Sequence, residues 1–143
     1  MNNAILAALS LFNVSLLAFT TATPGIYQVQ NCSSDSVVIS KDISRNPGAS
    51  AGWNSTLDVG NTLIMKIPQK QWHWQCLNAK TYKSISCKNV RIKKLKGITL
   101  PHNLQDGGFF ITENQPISKI NQAIKQRDVK LTSPIESLCQ EQK

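Results

Sequence analysis

The chain has 143 residues, with 16 Lys and Arg against 8 Asp and Glu, a formal charge of +8 and 41% hydrophobic residues. That is one domain's worth of chain. A TIM barrel or a two-half Rossmann enzyme needs more, and the hydrophobic content and the sign of the charge exclude a disordered acidic tail.

Residues 1–22 carry no charged side chain. Residues 4–12 are apolar except for Ser10, residues 14–19 are apolar except for Ser15, and Thr20-Thr21-Ala22 supplies the small residues that precede a cleavage site. The segment reads as a signal peptide cleaved after Ala22, within two residues or so. Its start, Met1-Asn2-Asn3, lacks the usual cation. The alternative is an uncleaved anchor, but Ala4 to Phe19 is only 16 residues, short of the roughly 20 that span a bilayer. No Cys stands near the cleavage region to take a lipid, and no later segment is apolar enough to span. Residues 23–143 are then a single mainly-β domain, secreted or periplasmic. A chain of that size buries roughly two thirds of its unfolded surface.

Residues 26–31 alternate Tyr27 and Val29 with Gln28 and Gln30, the pattern of a half-buried strand. Ser33-Ser34-Asp35-Ser36 is a turn cluster, and β-branched Val37-Val38-Ile39 follows at once, which predicts a hairpin. Residues 45–52 form a loop of small residues and breakers ending at Trp53. Residues 56–59 and 62–67 flank Gly60-Asn61, a two-residue hairpin signal. Residues 71–76 place Trp72, Trp74 and Cys76 on one face of a strand and His73 and Gln75 on the other. Further strands are expected over 84–87 and 90–95, with a bulge near Lys88-Asn89 where the parity switches. Phe109-Phe110-Ile111-Thr112 reads as a short buried strand. Six to eight strands at this spacing predict a small antiparallel β-sandwich or barrel.

The period then changes. Asn114-Gln115-Pro116 offers a cap and a starting proline. Ile117, Ile120 and Ile124 recur three and four apart, which predicts an amphipathic helix of about ten residues. Ser133-Pro134-Ile135-Glu136 has the form of a capping box and predicts a last short helix carrying Leu138 and Cys139.

Cys32, Cys76, Cys87 and Cys139 are an even set behind a signal peptide, which reads as two disulfides. Three connectivities are open. Cys76–Cys87 suits one strand-loop-strand excursion, which leaves Cys32–Cys139 to tie the first strand to the C-terminus. No C-x-x-C spacing is present, which argues against a thioredoxin-like motif or a zinc knuckle. His73 and His102 are the only histidines, so no metal and no cofactor is expected.

The chemistry-bearing residues point away from catalysis. No two carboxylates form a motif pair, and Gly-x-Ser-x-Gly, His-Glu-x-x-His and Walker sequences are absent. Trp72 and Trp74 suit either a sugar-stacking platform or a packed core beside a disulfide. Trp53 suits either a side chain that packs its loop down or an exposed anchor. Lys88, Arg91, Lys93, Lys94 and Lys96 fall within nine residues, interleaved with Val90, Ile92 and Leu95. Such a run suits an anionic partner or protects a sheet edge from aggregation. Nucleic acid fits by charge alone, but no base-reading motif is present and export removes it from reach. Asn31-Cys32-Ser33 and Asn54-Ser55-Thr56 are glycosylation sequons, meaningful only in a glycosylating host.

The stretch from Tyr27-Gln28-Val29-Gln30-Asn31-Cys32 to Ile39-Ser40-Lys41-Asp42, then Arg45-Asn46-Pro47-Gly48-Ala49-Ser50-Ala51-Gly52-Trp53 and Leu57-Asp58-Val59-Gly60-Asn61, resembles small exported enhanced-entry proteins of intracellular Gram-negative pathogens. The resemblance covers about a third of the chain and carries no catalytic residue. It implies a periplasmic or secreted protein linked to entry or survival in a host cell.

The expectation is an exported, non-catalytic, disulfide-stapled binding protein. Its partner would be a protein or an anionic envelope or host-surface polymer, held through Trp53, Arg91, Lys93, Lys94 and Lys96. A glycan- or wall-polymer-active protein, a small hydrolase or an inhibitor of one, is the alternative. It requires Trp72 or Trp74 exposed in a groove beside a carboxylate.

Overall fold

Alternating β-branched and aromatic residues favour pleated strands, and the computed structural model, which describes residues 21–22, 25–41, 53–67, 72–105 and 109–140, is mainly β. The elements are β1 (Thr21–Ala22), β2 (Gly25–Asn31), β3 (Val37–Lys41), β4 (Asn54–Leu57), β5 (Thr62–Ile67), β6 (Trp72–Asn78), β7 (Ser84–Ile85), β8 (Val90–Lys94), β9 (Ile98–Thr99), α1 (His102–Gln105), β10 (Phe110–Gln115), α2 (Ile117–Gln126) and β11 (Lys130–Leu131). One sheet runs β1-β6-β3-β4, with β7 also on β6; a second runs β10-β5-β2-β8; β9 and β11 form a small ribbon. Every pairing is antiparallel. The sheets face each other as a sandwich and do not close into a barrel. The predicted signal segment lies outside the described residues except for Thr21 and Ala22, which pair with His73 and Trp72.

Two cores result. Between the sheets, Tyr27, Val29, Leu63 and Met65 meet Val37, Ile39, Leu57, Trp74 and Cys76. On the other face of the second sheet, Ile64 and Ile111 pack with Ile120, Ile124, Val129 and Ile135. The second sheet is therefore a middle layer, covered on its outer side by α2 and the C-terminal segment. This corrects the half-buried reading of β2: Gln28 is 1% and Gln30 2% exposed.

Neither predicted hairpin forms. β2 and β3 belong to different sheets, as do β4 and β5. Each connection carries the chain across the sandwich, because both strands must offer apolar side chains to one core from opposite sides. The turn chemistry at Gly60 holds nonetheless. Asn61 N–H donates to the Asp58 carbonyl at 2.9 Å, and Gly60 takes φ +79°, the conformation a type II turn demands at its third residue. The expected bulge at Lys88-Asn89 is instead a turn, in which Val90 N–H donates to the Cys87 carbonyl at 3.0 Å. It passes the chain from β7 in one sheet to β8 in the other, and that passage accounts for the parity switch.

The helix over Ile117–Gln126 buries Ile120 and Ile124 as its period requires, but Pro116 itself is the N-cap and makes no side-chain cap bond. Asn114 is engaged elsewhere. Its Oδ1 accepts from Asp58 N–H at 2.9 Å and from Asn61 Nδ2 at 3.1 Å, and its Nδ2 donates to Asp58 Oδ2 at 3.0 Å.

The last predicted helix is absent: residues 134–138 form no helix or strand. The segment is a strap whose polar groups are bonded to other elements. Ile135 N–H donates to Asn121 Oδ1 at 2.7 Å, Gln28 Nε2 donates to the Glu136 carbonyl at 2.8 Å, and Leu138 N–H donates to Gln30 Oε1 at 2.6 Å. Backbone groups committed in this way do not close helical turns. The disulfides are the expected Cys76–Cys87 and Cys32–Cys139, and the second pins the strap to the end of β2.

Candidate functional site: the basic edge strand

β8 is an edge strand, paired with β2 and with no other described strand. Val90 anchors it at 3% exposure, and Ile92 is half-buried against the inter-sheet core. Arg91, Lys93 and Lys94 are exposed, as are Lys88 before the strand and Lys96 after it. Register decides where the cations lie. Arg91 stands opposite Gln30, and Lys93 opposite Gln28, so both share the outer face with the C-terminal strap. Lys94 stands opposite Tyr27, on the other face, and its Cε lies 2.8 Å from where a Cβ on Gly25 would stand. The basic run therefore wraps a sheet edge and does not form one face.

The phase of the ladder sets the backbone as well. Leu95 N–H donates to Ile26 O, and Cys32 N–H to Asn89 O, both at 2.8 Å. Bonded pairs alternate along an antiparallel ladder. The backbone groups of Arg91 and Lys93 therefore turn toward β2, and those of Ile92 and Lys94 turn outward.

Trp53 does not join this edge. It is 8% exposed and packs in the inter-sheet core, with ring centroids 6.4 Å from Trp74, 6.2 Å from Phe109 and 5.8 Å from Phe110. The expectation of an exposed anchor is corrected, because a large apolar ring at the mouth of the sandwich is better buried among aromatics. Residues 45–52, the rest of that loop, lie outside the described residues. Trp74 is likewise buried, at 9% exposure, so it offers no stacking platform; the side chain of Trp72 lies outside the described residues.

Among the described residues the carboxylates are dispersed. Asp58 accepts from Ser36 Oγ at 3.0 Å and from Asn114, and Glu113 accepts from Ser55 Oγ at 3.0 Å. Among the described residues, no three His, Cys, Asp or Glu side chains gather where a metal ion would sit. No helix among them is long and apolar enough to cross a membrane. Asn31 is fully buried, with its Nδ2 donating to the Asp35 and Leu57 carbonyls at 2.8 and 2.9 Å, so the first sequon is a structural joint. An open cleft of about 650 Å³ lies between the end of α2 and the strap, lined by Ile124, Val129, Leu131 and Pro134 with Asn121 and Asp128.

One exposed aromatic was not singled out in the sequence. Tyr82, in the β6–β7 connection, is 66% exposed. Its signal was Asn78 followed by a polar stretch just beyond the strand, which marks a turn but says nothing of how an aromatic on it is presented. The chain matches no protein-family model, no curated protein and no solved structure.

Proposed function

We propose that the protein is an exported, non-catalytic binding protein that engages an anionic partner through the basic edge formed by Arg91, Lys93, Lys94 and Lys96. The partner class is an acidic protein face or an anionic envelope or host-surface polymer. The observation that carries this reading is the exposure of Arg91, Lys93 and Lys94 on β8 and of Lys96 just beyond it, with the strand held from beneath by Val90. Clustered charge of one sign raises the local concentration of an oppositely charged partner and speeds its encounter. Two disulfides and the uncharged opening segment support export. The resemblance to enhanced-entry proteins supports a role at the envelope or in host-cell entry.

The test is charge reversal with stability as the control. Lys93→Glu combined with Lys94→Glu should weaken binding to an anionic polysaccharide about tenfold and leave Tm nearly unchanged. Because the two side chains lie on opposite faces of the sheet, the single variants separate which face is recognised. A large loss of stability with unchanged binding would overturn the proposal and assign these lysines to edge protection.

A further inference from the structure

The connections at one end of the sandwich carry a second set of exposed groups. β2, β4, β6 and β10 all finish at this end, and β3, β5, β7 and β8 all start there. The three exposed large hydrophobics among the described residues are there too: Val59 at 51%, Tyr82 at 66% and Ile85 at 37%. Val59 sits in the β4–β5 turn. Tyr82 sits at the close of the β6–β7 loop, and Ile85 lies in β7. Ser36 links the first two loops: its Oγ donates to Asp58 Oδ1 at 3.0 Å, and its carbonyl accepts from Ala79 N–H at 3.1 Å.

Tyr82 is held in an unusual conformation. Its φ is +59°, in the left-handed region that is ordinarily left to Gly or Asn at the close of a turn. The loop enforces it. Tyr82 N–H donates to the Asn78 carbonyl at 2.7 Å, and Asn78 N–H donates to the Lys83 carbonyl at 2.9 Å. Asn78 Oδ1 also accepts from the N–H groups of Lys80 and Thr81, at 2.8 and 3.1 Å. A position suited to glycine instead presents an aromatic ring to solvent, and backbone strain of this kind concentrates where a side chain is used.

We infer that this end of the sandwich docks on an anionic lipid surface, with Tyr82 and Val59 at headgroup depth and Lys80, Lys83 and Lys88 on the lipid phosphates. Tyrosine favours that depth because its ring is apolar and its hydroxyl stays wet. Lysine stems lie along apolar surface while their ammonium groups reach the headgroups. Among the described residues, Lys80, Lys83 and Lys88 at this end outnumber Asp35 and Asp58, and both carboxylate oxygens of Asp58 already accept hydrogen bonds. A lipid surface suits this end better than a protein does. The apolar groups are separate loop tips, and a stable protein interface needs about 800 Å² of matched surface on each side. A bilayer needs no matched pocket. The residues differ from those of the basic edge, so the two readings stand or fall separately.

The test is sedimentation of the disulfide-bonded protein with vesicles. Binding is expected to phosphatidylglycerol/phosphatidylcholine vesicles and not to phosphatidylcholine alone, and it should weaken as salt rises. Tyr82→Gly relieves the backbone, so it should keep or raise Tm while lowering partitioning about fivefold. Lys80→Glu with Lys83→Glu should lower partitioning by on the order of tenfold or more. Lys93→Glu with Lys94→Glu should leave most of it. As a readout that does not depend on the glycine variant folding, Tyr82→Trp should show a blue shift over wild type on the anionic vesicles only. No binding to anionic vesicles, or no shift, overturns the proposal. So does binding indifferent to Tyr82, Lys80 and Lys83, which would leave this end to a protein partner.

Discussion

Asn31 is the residue on which the loop end of the sandwich turns. It is fully buried, yet its side chain uses both donors and its acceptor. Nδ2 donates to the Asp35 and Leu57 carbonyls, and Oδ1 accepts from Ser33 N–H at 2.9 Å and from Ser33 Oγ at 2.6 Å. Its backbone joins in: Gly60 N–H donates to its carbonyl at 2.8 Å, and its own N–H donates to Asn61 O at 3.0 Å. Asn31 thereby fastens the β2–β3 and β4–β5 crossings to each other. Asn31→Ala leaves buried groups unpaired, and each costs about 1–3 kcal/mol. We expect a loss of about 2–4 kcal/mol in chemical denaturation, with the fold retained. A loss near zero would mean that water replaces the side chain. The sequence showed Asn31 only as the end of an alternating strand and as part of a sequon. It could not show that the chain leaves the sheet at that point. Trp53 was misplaced for a related reason: a tryptophan ending a loop of small residues reads equally as anchor or as plug, and only the aromatic neighbours Trp74, Phe109 and Phe110 decide between them.

At the scale of elements, the legible part was what depends on period and chemistry. Ile117, Ile120 and Ile124 gave the helix, the alternation in 26–31 and 71–76 gave strands, and cysteine spacing gave both disulfides. What failed was partner choice. Gly60-Asn61 specified a turn, but a turn does not say whether the chain returns beside its own strand or crosses to the facing sheet. Ser133-Pro134-Ile135-Glu136 specified helix initiation, but Gln28, Gln30 and Asn121 hold that segment in an open conformation from 14 to 108 residues away in sequence. The basic run was readable as a surface because charge resists burial, and strand alternation already sets Lys93 and Lys94 on opposite faces; what each meets there was not legible, because it depends on the register with β2. The strap makes a prediction of its own. Both sulfurs of Cys32–Cys139 belong to half-buried residues, whereas Cys76–Cys87 joins a half-buried Cys87 to a Cys76 that is 2% exposed. Mild reductant should therefore open Cys32–Cys139 first, and amide exchange should then rise over the 134–138 segment while the β3–β6 pairing stays protected. Alkylation of Cys76 and Cys87 at the same rate would show that the strap does not unfasten independently.

At the scale of the molecule, the two disulfides govern where the chain can fold. On loop-closure entropy, a bridge across about a hundred residues is worth about 4.7 kcal/mol and one across about fifteen is worth about 3. The separations here are 107 and 11, so the pair contributes about 7 kcal/mol. A domain of this size has a total stability of about 5–15 kcal/mol. With both bridges reduced, the remaining cores leave the native state marginal, and the outer layer keeps only side-chain hydrogen bonds and the apolar contacts of Ile64, Ile120, Ile124 and Ile135. The chain should then require an oxidising compartment. Residues 21–143 produced in a reducing cytoplasm should be protease-sensitive or insoluble. The same chain directed to an oxidising compartment should be soluble and resistant, with Cys32–Cys139 and Cys76–Cys87 found in non-reducing peptide maps. A stable, protease-resistant chain with four free thiols would contradict this. It would also take the disulfides out of the case for export, because the two cores alone would then hold the sandwich and its strap together.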